Sequence, residues 1–489
     1  MNKEDYHLEC VLCKCKVDET VSYTTCPNCN SALDVIYDYD KIFERLNKHA
    51  FTTAPIKAVK YIDFYPLQDM RNIVSLHEGG TPFFRCKNLG EKLGMSHLYI
   101  KNEGANPTGA FKDRGTMVEL TKAVELKKKA IICASTGNMA ASVSAFAANA
   151  KIPCHILMPE GAAIGKMAQI LAYGARIIQV RGTYDDTSKL ANEIAKKHNF
   201  FLAGDYAFRM EGQKSTAFEI AEQLDWQSPD KVIVPIGCGT HLSGMWKGFN
   251  EFKKAGLIQK VPKIIGVQAK GADPVVQAFN AKRKTWDIIP KPQTICSAIQ
   301  IGNPLDGTKA LRALRESKGI AISVSDEDVL EAEKTLARSE SVFTEPSGAS
   351  PLAALQQLLK QGKIKKDERV VLVLTGAGLK DPISALKVLP SPPSTEPNYE
   401  DAKKFLNYGY YNVYAKPPSD AVLWKSTPTL QQLKKAVKEI FNLPLSKEHA
   451  TNCFNEIKAH HKKGKPVTES DLKLILESIL KKTTVKKKA

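Results

Sequence analysis

Between residues 130 and 375 the chain repeats one pattern: a short apolar run, a turn, then a stretch with helical spacing. The runs are AIICA (130–134), CHILM (154–158), RIIQV (176–180), FFLAG (200–204), VIVPI (232–236), KIIGVQA (263–269), IAISV (320–324) and VVLVLT (370–375). Unbroken apolar runs of this length, rich in Ile and Val, read as parallel strands buried on both faces. The stretches 138–149, 184–197, 212–224 and 326–338 carry helical periods between them. Strand and helix alternating in this way predict an α/β fold with parallel sheets and helices on both sides. No apolar stretch approaches the 18 residues that a membrane-crossing helix needs, and MNKEDYHLEC lacks the apolar core of a secretory signal. A cytoplasmic protein without membrane partners is the expectation.

Chemistry concentrates in KNEGANPTGAFKDRGT, Lys101 to Thr116. Asn106, Pro107, Thr108 and Gly109 predict a tight turn, and Gly115 to Lys128 predicts an amphipathic helix with Met117, Leu120 and Val124 on one side. Lys112 lies where the turn meets the helix. A helix N-terminus and burial both disfavour the ammonium form, and a neutral amine is what covalent chemistry on a carbonyl needs. The competing reading is a loop lysine paired with Asp113.

This run resembles the lysine segment of fold type II pyridoxal-phosphate enzymes, and most closely that of the threonine synthase family. Further segments match in order: EGGTP (Glu78 to Pro82), CASTGNMAAS (Cys133 to Ser142), EGQKS (Glu211 to Ser215), VPIGCGTHLSG (Val234 to Gly244), EPSGA (Glu345 to Ala349) and LTGAGLKDP (Leu374 to Pro382). The resemblance implies a two-domain, tryptophan synthase β-like core that holds pyridoxal 5′-phosphate between two sheets. It implies Lys112 as the catalytic amine and Gly237, Cys238, Gly239, Thr240 and His241 as the phosphate cup. Small residues after a strand and before a helix let backbone N–H groups approach an anion. Asn138 would meet the cofactor's 3′-oxygen and the Thr375 hydroxyl its pyridine nitrogen, while Ser135 and Thr136 would hold the substrate carboxylate. Ser135 and Thr136 would serve equally well as a helix-capping turn. Arg209 would contact the substrate phosphate through its guanidinium fork, with Lys166 as a second cation.

Two segments depart from the family. Met139 stands where many relatives have a hydroxyl residue, and Gly204-Asp205-Tyr206-Ala207-Phe208 replaces an Asn-Ser-x-Asn-Pro run. The implied activity is conversion of O-phosphohomoserine and water to threonine and phosphate. The departures keep open a related replacement or elimination on phosphoserine, serine or threonine.

Cys10-x2-Cys13 and Cys26-x2-Cys29 are separated by twelve residues, the spacing of a zinc ribbon in which four thiolates close a tetrahedral shell around structural zinc, with iron as the alternative. The expected organisation is a ribbon at 5–35, a catalytic core at 36–390 with a smaller domain near 115–210, a proline-rich linker at 391–397, a helical appendage at 398–480 and a basic tail at 481–489. The net charge is +18, and residues 391–489 carry 18 lysines against 10 acidic residues. A nucleic-acid-binding protein on a retired enzyme fold is the non-enzymatic alternative. The intact lysine and glycine loop argue instead for a working enzyme on a small-molecule substrate, with a homodimer as the expected assembly.

Overall fold

The computed structural model describes residues 5–20, 25–46, 48–160 and 164–386, then 394–406, 422–424, 428–441, 447–461 and shorter pieces to residue 476. It divides into two compact units, Met1–Leu389 and Pro390–Ala489.

The first unit holds three sheets. Strands β1 (Tyr6–Cys10), β2 (Lys16–Val17) and β3 (Leu33–Tyr37) form a small antiparallel ribbon in the order β2-β1-β3. The large sheet joins β4 (Phe83–Arg85) and β5 (Leu98–Asn102) to strands late in the chain. The small sheet holds β6 (Ile131–Ala134), β7 (Cys154–Pro159), β8 (Arg176–Val180) and β9 (Phe201–Ala203) in the order β8-β7-β6-β9, all parallel. The rest of the large sheet is β10 (Lys231–Pro235), β11 (Lys263–Ala269), β12 (Ile320–Val324) and β13 (Val370–Leu374), giving the order β12-β11-β10-β13-β5-β4. Only β4 runs antiparallel to its neighbour. The two-domain α/β arrangement with parallel sheets is thus present.

The apolar runs became strands because each can bury both faces. Every residue of β6, β10 and β13 is buried. β8 is the exception: RIIQV is an edge strand, half-buried to exposed throughout, because only β7 flanks it. β5 was not legible, since LYIKN looks polar at its end. Lys101 is nevertheless fully buried, and its Nζ lies 2.6 Å from Glu219.

Two helix expectations need correction. The helix expected at 115–128 runs Lys112–Glu125, and every residue from Asp113 to Ala123 is buried, so it has no solvent face. Its polar residues are internally matched. Asp113 accepts from the Thr108 hydroxyl (2.6 Å), Arg114 contacts Glu103 and Glu219 (2.6 Å each), and Lys122 contacts Glu125 (2.9 Å). Removing one member of such a buried charge set would cost about 3–5 kcal/mol, because the partner is left uncompensated. The helix expected at 212–224 is instead two, Ala207–Gln213 and Ser215–Gln223, divided at Lys214. Gly212 is the point of closest approach, since a Cβ there would lie 1.9 Å from the Arg114 carbonyl oxygen.

The ribbon is bolted to the catalytic core by polar contacts. Tyr37 donates to Glu211 (2.7 Å), Lys247 donates to the Val35 carbonyl (2.6 Å), and Lys309 donates to the Leu33 carbonyl (3.0 Å). Lys247 belongs to the helix Thr240–Lys254, which begins at the expected phosphate cup.

The second unit contains the helices Tyr399–Leu406, Leu430–Phe441 and Lys447–His461 and a two-stranded pairing of Val422–Trp424 with Val467–Thr468. Leu433, Val437, Cys453, Ile457, Val467, Leu472 and Leu476 form its core. The tail at 481–489 and most of 471–480 lie outside the described residues. Among the described residues no helix is long and apolar enough to cross a membrane.

Candidate active site and metal centre

Parallel strands place their functional loops at their carboxyl ends. Lys112 follows β5 by a turn, Ser135 to Asn138 follow β6, Asp205 follows β9, Gly237 to His241 follow β10, and Thr375 follows β13. Two sheets therefore contribute to one cleft. The turn before Lys112 is zipped to the end of β13: Phe111 N–H donates to the Thr375 carbonyl (3.0 Å) and Ala377 N–H to the Gly109 carbonyl (2.9 Å). Gly109 adopts φ +86°, a left-handed turn position that favours glycine.

Lys112 is the first residue of its helix, and its side chain is 16% exposed. It does not pair with Asp113. Its Nζ lies 3.0 and 3.2 Å from the two carboxylate oxygens of Asp205 and 5.0 Å above the Phe111 ring. Burial opposes ionisation of Asp205, but the charges of Lys112 and Arg209 outweigh it and hold this carboxyl below the usual range. Lys112 is therefore held by a carboxylate from the loop after β9.

At the cup, Gly239 adopts φ +96°, and a Cβ there would come within 2.9 Å of the Asp306 carbonyl oxygen. Thr240 then opens the helix Thr240–Lys254, whose first N–H groups have no helical partners. His241 is buried. Its ring stacks on Phe111 at 4.1 Å, Nε2 meets Thr216 Oγ1 at 3.2 Å, and Nδ1 has no hydrogen-bond partner among the described residues. Burial, reinforced by Arg114 and Lys112, pushes its pKa down to about 3. His241 is thus a packed neutral side chain with one nitrogen to spare. A glycine cradle at a helix N-terminus, an orphaned ring nitrogen and a lysine amine form a donor set that fits an aldehyde cofactor carrying a phosphate.

Asn138 begins the helix Asn138–Asn149 and donates to both carboxylate oxygens of Glu345 at 3.0 Å. Ser135 Oγ accepts the Gly137 N–H at 3.3 Å, so it does serve the turn. A Cβ on Gly137 would meet nothing within 4 Å, which leaves open space beside Thr136 and Asn138. Thr375 is nearly buried at the end of β13.

Arg209, which the resemblance gave to the substrate phosphate, lies inside the protein. Its side chain is fully buried. Nε donates to the Gly204 carbonyl (2.9 Å), one terminal nitrogen contacts the Lys112 carbonyl (3.3 Å) and Thr116 Oγ1 (3.1 Å), and the other contacts Glu119. With most of its donors committed inside the protein, this guanidinium braces the lysine helix. Lys166 lies in the helix Ile164–Ala172, and its side chain is outside the described residues. Asp205 and Glu345 were not singled out as site residues in the sequence. The one signal for Asp205 was the departure of Gly204–Phe208 from the family pattern.

The four ribbon thiols of Cys10, Cys13, Cys26 and Cys29 come together with all ligand atoms within 4.8 Å of one another. Burial opposes ionisation of Cys10 and Cys26, but hydrogen bonds outweigh it and pull both thiols below the usual range. The donors are Cys13 and Leu12 N–H for the first, and Asn28 and Cys29 N–H with the Cys15 thiol for the second. Four clustered sulfurs in two Cys-x2-Cys pairs fit tetrahedral zinc. Cys15 is a fifth thiol, with Sγ 3.2 Å from that of Cys26.

Residues 74–376 match the family model described as pyridoxal-phosphate dependent enzyme. The chain is 46% identical over 401 residues to a threonine synthase of Methanocaldococcus jannaschii, covering 81% of this chain and 98% of that protein. It is 41% identical over 403 residues to a threonine synthase of Methanosarcina acetivorans, covering 82% and 98% respectively. Maize serine racemase superimposes with a TM-score of 0.54 at 25% identity, covering 61% of this chain and 88% of that one.

Proposed function

The chain belongs to the pyridoxal-phosphate dependent enzyme family, and from that premise we infer that it carries out the threonine synthase reaction, in which O-phosphohomoserine and water become L-threonine and phosphate. The observation that carries this reading is the match to threonine synthases along nearly their whole length. The family model itself spans residues 74–376, which include Lys112, Ser135 to Asn138, Asp205, Gly237 to His241 and Thr375.

When bound, pyridoxal phosphate supplies an electron sink that stabilises negative charge beside the substrate's amino group. The cup from Gly237 to His241 would hold its phosphate, Asn138 its 3′-oxygen and Thr375 its pyridine nitrogen. A threonine hydroxyl there is neutral and does not enforce protonation of the ring, which suits eliminations better than amino-group transfer. We assign the substrate carboxylate to Ser135, Thr136 and the N–H groups opening the Asn138 helix. The net change puts the water oxygen on Cβ, replaces phosphate by hydrogen at Cγ, and leaves Cα with the hydrogen count it began with. A proton must therefore leave Cβ and one be delivered to Cγ, and activation beside the amino group takes a proton from Cα and returns it. Lys112 is the side chain we assign to those transfers.

The four-thiol ribbon would hold structural zinc. We also propose a homodimer, to be read from light scattering, and a cytoplasmic setting, supported by eleven cysteines of which none is disulfide-bonded.

Supplied with pyridoxal phosphate, the purified protein is expected to release threonine and phosphate from O-phosphohomoserine in equal amounts. Release from phosphoserine alone would instead favour the sister replacement reaction. Lys112→Ala should lower turnover by about 1,000-fold or more. Borohydride reduction followed by peptide mapping should label Lys112.

A further inference from the structure

We propose that Asp205 is the positioning partner of Lys112: its carboxylate holds the lysine amine over the cleft and fixes which way its protons move. The proposal rests on the assignment of Lys112 to the proton transfers and goes further by naming the group that governs them.

The first support is geometric. Both Asp205 oxygens lie within 3.2 Å of one nitrogen, and the pair is largely shielded, with Lys112 16% and Asp205 8% exposed. In such surroundings a charge-assisted hydrogen bond is stronger than on an open surface. The second support is how the pair is mounted. Asp205 follows Gly204, whose N–H donates to Glu119 Oε1 (3.0 Å) and whose carbonyl accepts from Arg209 Nε (2.9 Å). Arg209 also donates to the backbone carbonyl of Lys112. One buried guanidinium therefore fixes the backbone on both sides of the contact, at Gly204 and at Lys112, and Glu119 balances its charge. Three buried groups are committed to aiming one carboxylate at one amine.

The consequence is chemical. Lys112 must alternate between a neutral amine that accepts a proton and an ammonium that donates one. Asp205 accepts from that nitrogen through both its oxygens and keeps it in one orientation. Without that carboxylate the amine would spend more time turned away from the substrate, and each proton transfer would slow. Non-covalent binding of cofactor and substrate, assigned above to Gly237–His241, Asn138, Thr375, Ser135 and Thr136, would be little changed.

The test compares wild type with Asp205→Asn and Asp205→Glu as full-length holoenzymes. Cofactor content is read by absorbance, and kcat and KM are read from phosphate release with O-phosphohomoserine. Exchange of the Cα hydrogen of L-threonine in D2O is followed by NMR. Asp205→Asn is expected to retain the cofactor and a KM within about threefold, while kcat and the exchange rate fall together by about 10- to 100-fold. Asp205→Glu, which keeps the charge, is expected to recover part of both. An Asn variant with kcat within about twofold of wild type overturns the proposal. So does one whose activity falls only in step with lost cofactor, since that marks a purely structural role. A wild-type holoenzyme that releases no phosphate from O-phosphohomoserine overturns the function assigned above, and that outcome is visible before any variant is made.

Discussion

The loop after β10 and the loop after β9 meet in the same cleft but are made from different materials. The first, Gly237 to His241, works through its backbone: a glycine at φ +96°, a helix N-terminus and small side chains. The second, Gly204 to Arg209, works through side chains whose partners are far away in the chain, Lys112 at 93 positions and Glu119 at 90. They touch at Cys238, whose thiol burial and the Asp205 charge together hold well above its usual range. A backbone-built loop should be sensitive to shape and tolerant of charge changes elsewhere. A side-chain-built loop should fail as a unit when one ion is removed.

Arg209→Ala should give the largest effect. It strips Glu119 of its buried partner and frees the Gly204 carbonyl, so unfolding by urea should show a loss of about 3–5 kcal/mol. If stability holds and only phosphate affinity of the substrate changes, Arg209 reaches the cleft after all and the contrast between the loops collapses. Gly239→Ala should cost less and act elsewhere. The left-handed backbone and the nearby Asp306 carbonyl oppose a Cβ at about 1–2 kcal/mol. Urea unfolding of the protein alone should show that loss, and titration with pyridoxal phosphate should show an affinity loss of about tenfold beside it.

The smallest effect is a pH dependence. His241 has a pKa of about 3 in the folded protein, because burial and the nearby Arg114 and Lys112 disfavour its charged form. The unfolded chain titrates near 6.5. Between those values the unfolded state binds the extra proton, so stability is full above about 6.5 and falls as the pH drops toward 3. His241→Gln removes this proton uptake. Its melting temperature should therefore fall less than that of wild type between pH 7 and pH 5. Equal slopes would mean that His241 is solvated and not packed on Phe111.

The alternating apolar runs gave the sheets, because a strand buried on both faces has to be apolar along its whole length. The glycines of the cup were readable for a similar reason, since a backbone device is local. What was not readable has the opposite cause. The burial of Lys101, Arg114 and Arg209 depends on a carboxylate from a distant segment that pairs with each one inside the protein. β8 looked buried because its composition cannot say how many neighbours flank it.

Sequence by itself determined the α/β class and the four-thiol ribbon, because each depends on residue type and short spacing, while the resemblance to a known family is what pointed to Lys112 and the glycine loop. Tertiary structure alone decided that Asp205 faces Lys112, that Arg209 is a brace and that the Lys112 helix has no wet side. Those outcomes depend on which charges long-range packing brings within about 3 Å of each other, and the energy of a charge in a low-dielectric interior is set almost entirely by that neighbour.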